Sequence, residues 1–140
     1  MGRETAFSFK ATMAKAPATI TDNTAQVSAI LDMQNFDGAT LLITLGTLSD
    51  ADATTTLLLE HGDNSSLSDA ATVTEALVGT AAGASPIFSD DGKVAKVGYF
   101  GTKRYLRATL TPSGNTGNIP FAMTWLQHGQ RSGIPTTQIV

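Results

Sequence analysis

The sequence predicts an all-β protein: a single β-sandwich or jelly-roll-like barrel of about seven short antiparallel strands, with an extended N-terminal arm. Three observations carry that expectation. Charged residues make up only 15% of the chain, while Thr, Ala and Gly are abundant, so the residues that normally solvate helix surfaces are scarce. Apolar residues recur with period two in short runs, as on a half-buried strand. Gly, Pro, Asn and Asp punctuate those runs at short intervals, as turns do. A length of 140 residues suits one domain with a real core.

Taken in order, residues 1–22 read as an arm, because they hold Arg3, Lys10 and Lys15, few large aliphatic residues, and Pro17 in an Ala/Thr-rich setting. Residues 23–130 read as the β domain. Val27, Ala29, Leu31 and Met33 alternate with Ser28, Ile30 and Asp32 as one strand. Leu41, Ile43 and Leu45 mark a second, and Thr54 to Glu60 a third, ending at His61-Gly62-Asp63-Asn64. Leu67 to Leu77 is compatible with a short strand or a helical turn capped by Ser66 or Ser68. Ala81 to Pro86 reads as a loop, Ile87-Phe88 as a brief return to the core, and Asp90-Asp91-Gly92 as a tight turn.

Val94 to Phe100 and Lys103 to Thr111 follow as two strands, with Gly101-Thr102 suited to a hairpin between them. In the second, Tyr105 and Arg107 fall on one face and Arg104 with Leu106 on the other. Pro112 to Asn118 reads as a loop, and Phe121, Met123 and Trp125 as the last strand. Residues 131–140 read as an irregular tail. The tetrapeptide Leu-Ser-Asp-Ala occurs at 48–51 and 67–70, better explained as two similar Ser/Asp turns than as a repeat.

The net charge of −3 conceals a division. Between Ala16 and Gly92 there is no Lys or Arg, yet eleven of the twelve acids lie there; from Lys93 onward there is no acid and six of the nine bases. Six cations in that stretch make too sparse a patch for a nucleic-acid binder, so the acidic and basic segments are expected to meet within the fold or between subunits. No apolar run is long enough to span a bilayer, and the N-terminus lacks the continuous apolar stretch of a signal peptide, since Phe7 and Phe9 alternate with Ser8 and Lys10.

No catalytic or metal motif is present. His61 and His128 stand outside any nucleophile signature, and with no cysteine a thiolate metal site is excluded. Asp50 with Asp52, and Asp63 and Asn64 with Asp69, offer oxygen ligands, but at spacings that match no EF-hand loop. Gly98 to Lys103 lacks the spacing of a phosphate-binding loop. The sequence is therefore read as a non-enzyme without a cofactor.

Several segments carry a resemblance. Thr21-Asp22-Asn23-Thr24, Gly46 to Thr54, Glu60-His61-Gly62-Asp63, Leu67-Ser68-Asp69-Ala70, Val97 to Arg107 and Thr111 to Gly117 follow one another in an order similar to that in capsid cement (decoration) proteins of tailed bacteriophages, those of flagellum-targeting siphophages among them. The most specific piece is Gly98-Tyr99-Phe100-Gly101-Thr102-Lys103-Arg104-Tyr105-Leu106-Arg107. The resemblance implies a β-rich virion protein on the outer surface of the capsid. Its partners would be the phage major capsid protein and neighbouring copies of itself, with neither nucleic acid nor membrane. Candidate interface residues are Lys103, Arg104, Tyr105 and Arg107, because Arg and Tyr are favoured anchors, and Phe7, Phe9 and Lys10 of the expected arm. The alternatives are a head-fibre base, or a carbohydrate-binding module presenting Trp125, Tyr99 and Tyr105 as an aromatic platform.

Overall fold

Alternation between buried and half-exposed side chains runs the length of the long strands, and it places one face of each against a common core. The computed structural model describes residues 5–133 and 139. After a 3-10 turn (Thr5–Phe7) come β1 (Phe9–Ile20), β2 (Gln26–Val27), β3 (Leu31–Asp32), β4 (Gly38–Leu45), β5 (Thr54–Gly62), β6 (Ala71–Thr72) and β7 (Leu77–Val78). A second 3-10 turn (Phe88–Asp90) precedes β8 (Val94–Tyr99), β9 (Tyr105–Ser113) and β10 (Ile119–His128). A front sheet has the order β1-β10-β4-β8-β7. A back sheet has the order β2-β9-β5-β6, with β3 also on β9, and every pairing is antiparallel. The all-β sandwich expected from the sequence is the fold observed.

The core lies between the sheets. From the front come Leu41 and Ile43 of β4, Val97 and Tyr99 of β8, and Phe121, Met123 and Trp125 of β10; from the back come Leu57 and Leu59 of β5 and Leu106, Ala108 and Leu110 of β9. Trp125 is 1% exposed at the centre of the front sheet. Burying such a side chain contributes roughly 2–3 kcal/mol relative to leaving it in water, which is why the period-two pattern dictates which face turns inward.

Sequential long strands do not pair with each other: β4 and β5, β8 and β9, and β9 and β10 lie in opposite sheets. This corrects the Gly101-Thr102 hairpin. Phe100 N–H donates to Ala76 O, and the chain then passes from front to back, Gly101 lying so close to the Tyr99 phenol that a β-carbon there would collide with it. Turn composition alone does not distinguish a hairpin from a crossing, because both need the same backbone freedom.

The extended arm is corrected too. Residues 9–20 form β1, which pairs along β10 from Phe9↔His128 to Ile20↔Ile119, with register breaks between Met13 and Lys15 and between Lys15 and Ala18. Pro17 lies at the second break in an edge strand, where its missing N–H costs no ladder bond. The segment read as one strand over 27–33 is instead two two-residue pairings. Between them Ser28 replaces ladder geometry with its side chain: Oγ accepts the Ala108 N–H and donates to Ala29 O, both at 2.9 Å. Ala29 N–H in turn donates to Ala14 O at the β1 bulge, so this segment stitches the two sheets along one side. Leu67 to Leu77 contains no helical turn; β6 and β7 are its strands. Of the tail, Arg131 and Ser132 return to Asn35 and Asp37, and 134–138 and 140 lie outside the described residues.

Candidate interaction surfaces

The segment Gly98 to Arg107 crosses from one sheet to the other, and the structure accounts for its residues one by one. Gly98 faces β7, where an added β-carbon would press on Val78 at 3.2 Å. Tyr99 is buried; its hydroxyl lies 2.9 Å from His61 Nδ1, and the two rings meet edge to face. Burial pushes the Tyr99 phenol up, and burial together with the Lys103 charge holds the His61 imidazole below its ordinary value. The Lys103 ammonium donates to Asp63 at 2.6 Å. The Arg104 guanidinium forks onto both oxygens of Asp32 at 3.0 Å, reaches Gln34, and lies over the Tyr105 ring at 5.2 Å. Arg107 bonds Glu60 through Nε and a terminal N–H at 3.1 and 2.7 Å.

Arg104 therefore does not share a face with Leu106. Leu106 points into the core, whereas Arg104, just before β9 begins, is exposed beside Tyr105. Bidentate and charge-assisted bonds hold the Asp32 and Asp63 carboxyls below their usual range.

These pairs explain the division of charge along the sequence. Among the described residues, all five ion pairs, Lys93–Asp90, Lys103–Asp63, Arg104–Asp32, Arg107–Glu60 and Arg131–Asp37, join a base of the C-terminal stretch to an acid of the middle stretch. Lys103, Arg104 and Arg107 meet their acids because β9 pairs β5 and β3, whereas Lys93–Asp90 is a local pair and Arg131–Asp37 forms where the chain leaves β10. Among the candidate interface residues, Lys103, Arg104, Tyr105 and Arg107 thus cluster on the back of the molecule with their charges already engaged. Phe7, Phe9 and Lys10 lie at the start of the front sheet's edge strand, where Lys10 shares a cavity with Asp32 and Gln34, the partners of Arg104. Asp50 and Asp69 of the acidic loops accept local bonds from Thr116 and Asp52, and from Asp63 and Asn64. Among the described residues no group of three His, Asp or Glu is arranged to hold a metal ion.

The outer faces of the two sheets differ. On the back, Thr54, Thr56 and Leu58 of β5, Tyr105, Thr109 and Thr111 of β9 and Val27 of β2 surround the Glu60–Arg107 pair. On the front, the outward residues of β10 are Pro120, Ala122, Thr124, Leu126 and His128; β4 adds Thr40, Leu42 and Thr44, and β8 adds Val94 and Lys96. No carboxylate stands among these positions. Met13 (57% exposed), Val78 (67%), Val94 (56%) and Phe100 (54%) border the same face. Lys10, Lys15 and Lys96, the described cations that form no ion pair with a described carboxylate, all belong to the front sheet. Sequence reasoning missed this surface. The signal was present in Leu42, Thr44, Thr124 and Leu126, which interrupt the expected apolar–polar alternation with further apolar or uncharged side chains.

The aromatic platform proposed for sugar does not form: Tyr99 and Trp125 are each 1% exposed inside the sandwich, and Tyr105 lies on the opposite sheet.

No protein-family model matches the sequence, and no curated protein does. Among solved structures, the fold is similar to that of the PBSX exported protein XepA, with a TM-score of 0.53 and 14% identity; the match covers 94% of this chain and 41% of that one. The SPBc2 prophage-derived protein YomS aligns with a TM-score of 0.38 and 12% identity over 84% of this chain and 92% of that one. The chain thus spans well under half the length of the XepA structure it matches.

Proposed function

We propose that this chain is a structural, non-enzymatic virion protein of a tailed phage that seats the outer face of its front sheet on the capsid, bridging major capsid protein subunits and stabilising the expanded head. The observation that carries the reading is the contrast between faces. A carboxylate-free surface of apolar and Thr side chains with one lysine covers one side of the sandwich, while the other carries its charges as internal ion pairs. Exposed apolar side chains gathered on a face without carboxylates suit contact with another protein. The resemblance of the Gly98 to Arg107 segment to cement proteins supplies the partner, and the similarity of fold to a PBSX protein agrees with a phage origin. Many copies, each with a modest interface, make a large total stabilisation, and binding only to the expanded shell shifts it away from rupture by linkage.

The test is saturable binding of the purified protein to matched heads that lack it, with head rupture temperature as the second readout. The reading expects many copies per head and a raised rupture temperature, and expects Leu42→Glu with Leu126→Glu to abolish both while the domain stays folded. A few copies per head would instead indicate a fibre base. Binding that ignores both substitutions would dismiss the front face as the docking surface.

A further inference from the structure

The front sheet ends on β7, only two residues long, beside β8, which has six. β7 covers Tyr99 and Gly98 of β8 and nothing before them. The parity of the β4–β8 ladder then decides what the rest of β8 presents. Leu45 N–H donates to Lys93 O, and main-chain groups in an antiparallel pair alternate between the two sides of a strand, so Ala95, Val97 and Tyr99 direct theirs at β4. Val94 and Lys96 direct their N–H and C=O groups the other way, past the end of β7.

That side is open. Gly79, at φ +84°, turns the chain out of the sheet directly after Val78, and a β-carbon there would meet nothing within 4 Å. The following loop bonds to itself, through Ala84 to Thr80 and Ala81 and Ser85 to Ala82, and to β5 through Ser85 Oγ, without a backbone bond to β8. A groove of about 510 Å³ lies beside that edge on the outer face of the sheet, bordered by Thr40, Val78, Gly79, Lys96, Phe100 and His128.

We propose that this edge is a strand-addition site. An extended segment of a partner protein, apolar at alternate positions and carrying a carboxylate opposite Lys96, would continue β7 and satisfy the main chain of Val94 and Lys96. Main-chain bonds supply affinity in such an arrangement, and alternate side chains supply selectivity. The apolar positions have Val78, Val94 and Phe100 to cover. The charge selects the occupant: Lys96 borders the groove and no carboxylate does. Pairing of β8 with β8 of a second copy would set the two Lys96 side chains opposite or diagonal to one another, and like charges there oppose pairing, as edge lysines commonly do. The site deepens the front-sheet docking proposed above, but its test does not depend on heads.

The isotope-labelled protein is titrated with two blocked peptides, Val-Thr-Val-Thr-Glu-Thr-Val, whose valines share the face of the glutamate, and its counterpart with Lys in place of Glu, and amide shifts are followed by NMR. The site expects saturable shifts at Val94 and Lys96, with the Glu peptide bound about fivefold more tightly than the Lys peptide. It expects Lys96→Glu, shown to be folded by its unchanged unfolding transition, to reverse that order. It also expects the Lys96 amide of the free protein to exchange faster than those of Ala95 and Val97. Shifts confined elsewhere, equal affinity for the two peptides, or slow exchange at Lys96 would each overturn it. Head binding lost with strand addition intact would instead count against the capsid reading alone.

Discussion

Arg107 and Glu60 stand directly opposite each other on β9 and β5, and their pairing can be measured. Both guanidinium bonds end on one carboxylate oxygen, and the side chains are 25% and 20% exposed. Fully exposed pairs contribute a few tenths of a kcal/mol, and opposite charges across a sheet up to about 1 kcal/mol. With partial shielding and two charge-assisted bonds, the coupling is expected at about 1 kcal/mol. Arg107→Ala alone costs more, about 1–2 kcal/mol, because Glu60 then sits part-buried without a partner and the arginine stem no longer covers the sheet. For a chain of this size, 1 kcal/mol is a shift in Tm of about 3–4 °C. The assay is a double-mutant cycle of Arg107→Ala and Glu60→Ala by urea unfolding, repeated in 1 M NaCl, where the coupling should shrink. Additivity of the two single substitutions within about 0.3 kcal/mol would refute the reasoning. It would also return Arg107 to the set of charges available to a partner.

Two further outcomes follow from the same structure. Deleting residues 1–20 removes β1 and bares the whole β10 edge beside Trp125 and Met123, so the remaining chain is expected to lose its cooperative unfolding transition by circular dichroism; an unchanged transition would restore the independent arm. The His61 imidazole is held below its ordinary value by burial and by Lys103, so the folded state binds its proton less readily than the unfolded chain. That contribution is complete above the ordinary histidine value and is lost as pH falls through and below it. Tm is therefore expected to drop between pH 7.5 and 5.5, and the drop to shrink in His61→Gln. Losses from Asp32 and Asp63, whose carboxyls are held low, belong to more acidic conditions, below the ordinary carboxylate range. Equal slopes for the two proteins between pH 7.5 and 5.5 would remove His61 from the account.

By itself the sequence determined the class of fold and the identity of most core positions. Leu41 and Ile43, Leu106 and Leu110, and Phe121, Met123 and Trp125 each declare an inward face by period two, because the core accepts apolar groups without a directional requirement. The division of acids from bases was equally legible, and so was the expectation that the two meet. Which strands neighbour one another was decided only by the tertiary structure. The pairing of the first strand with the last, the crossing at Gly101 and the partner of each arginine depend on contacts between residues far apart in the chain. Local composition is nearly silent about such contacts: the Ala/Thr-rich β1 looks like an arm until Trp125 and its neighbours on β10 give it an edge to join. The outer faces were decided there too. Leu42 and Leu126 are ordinary strand residues in the sequence, and they form one surface only when β4 and β10 are laid side by side. The open edge of β8 exists because β7 stops two residues after it starts, and no single strand records that its neighbour is short.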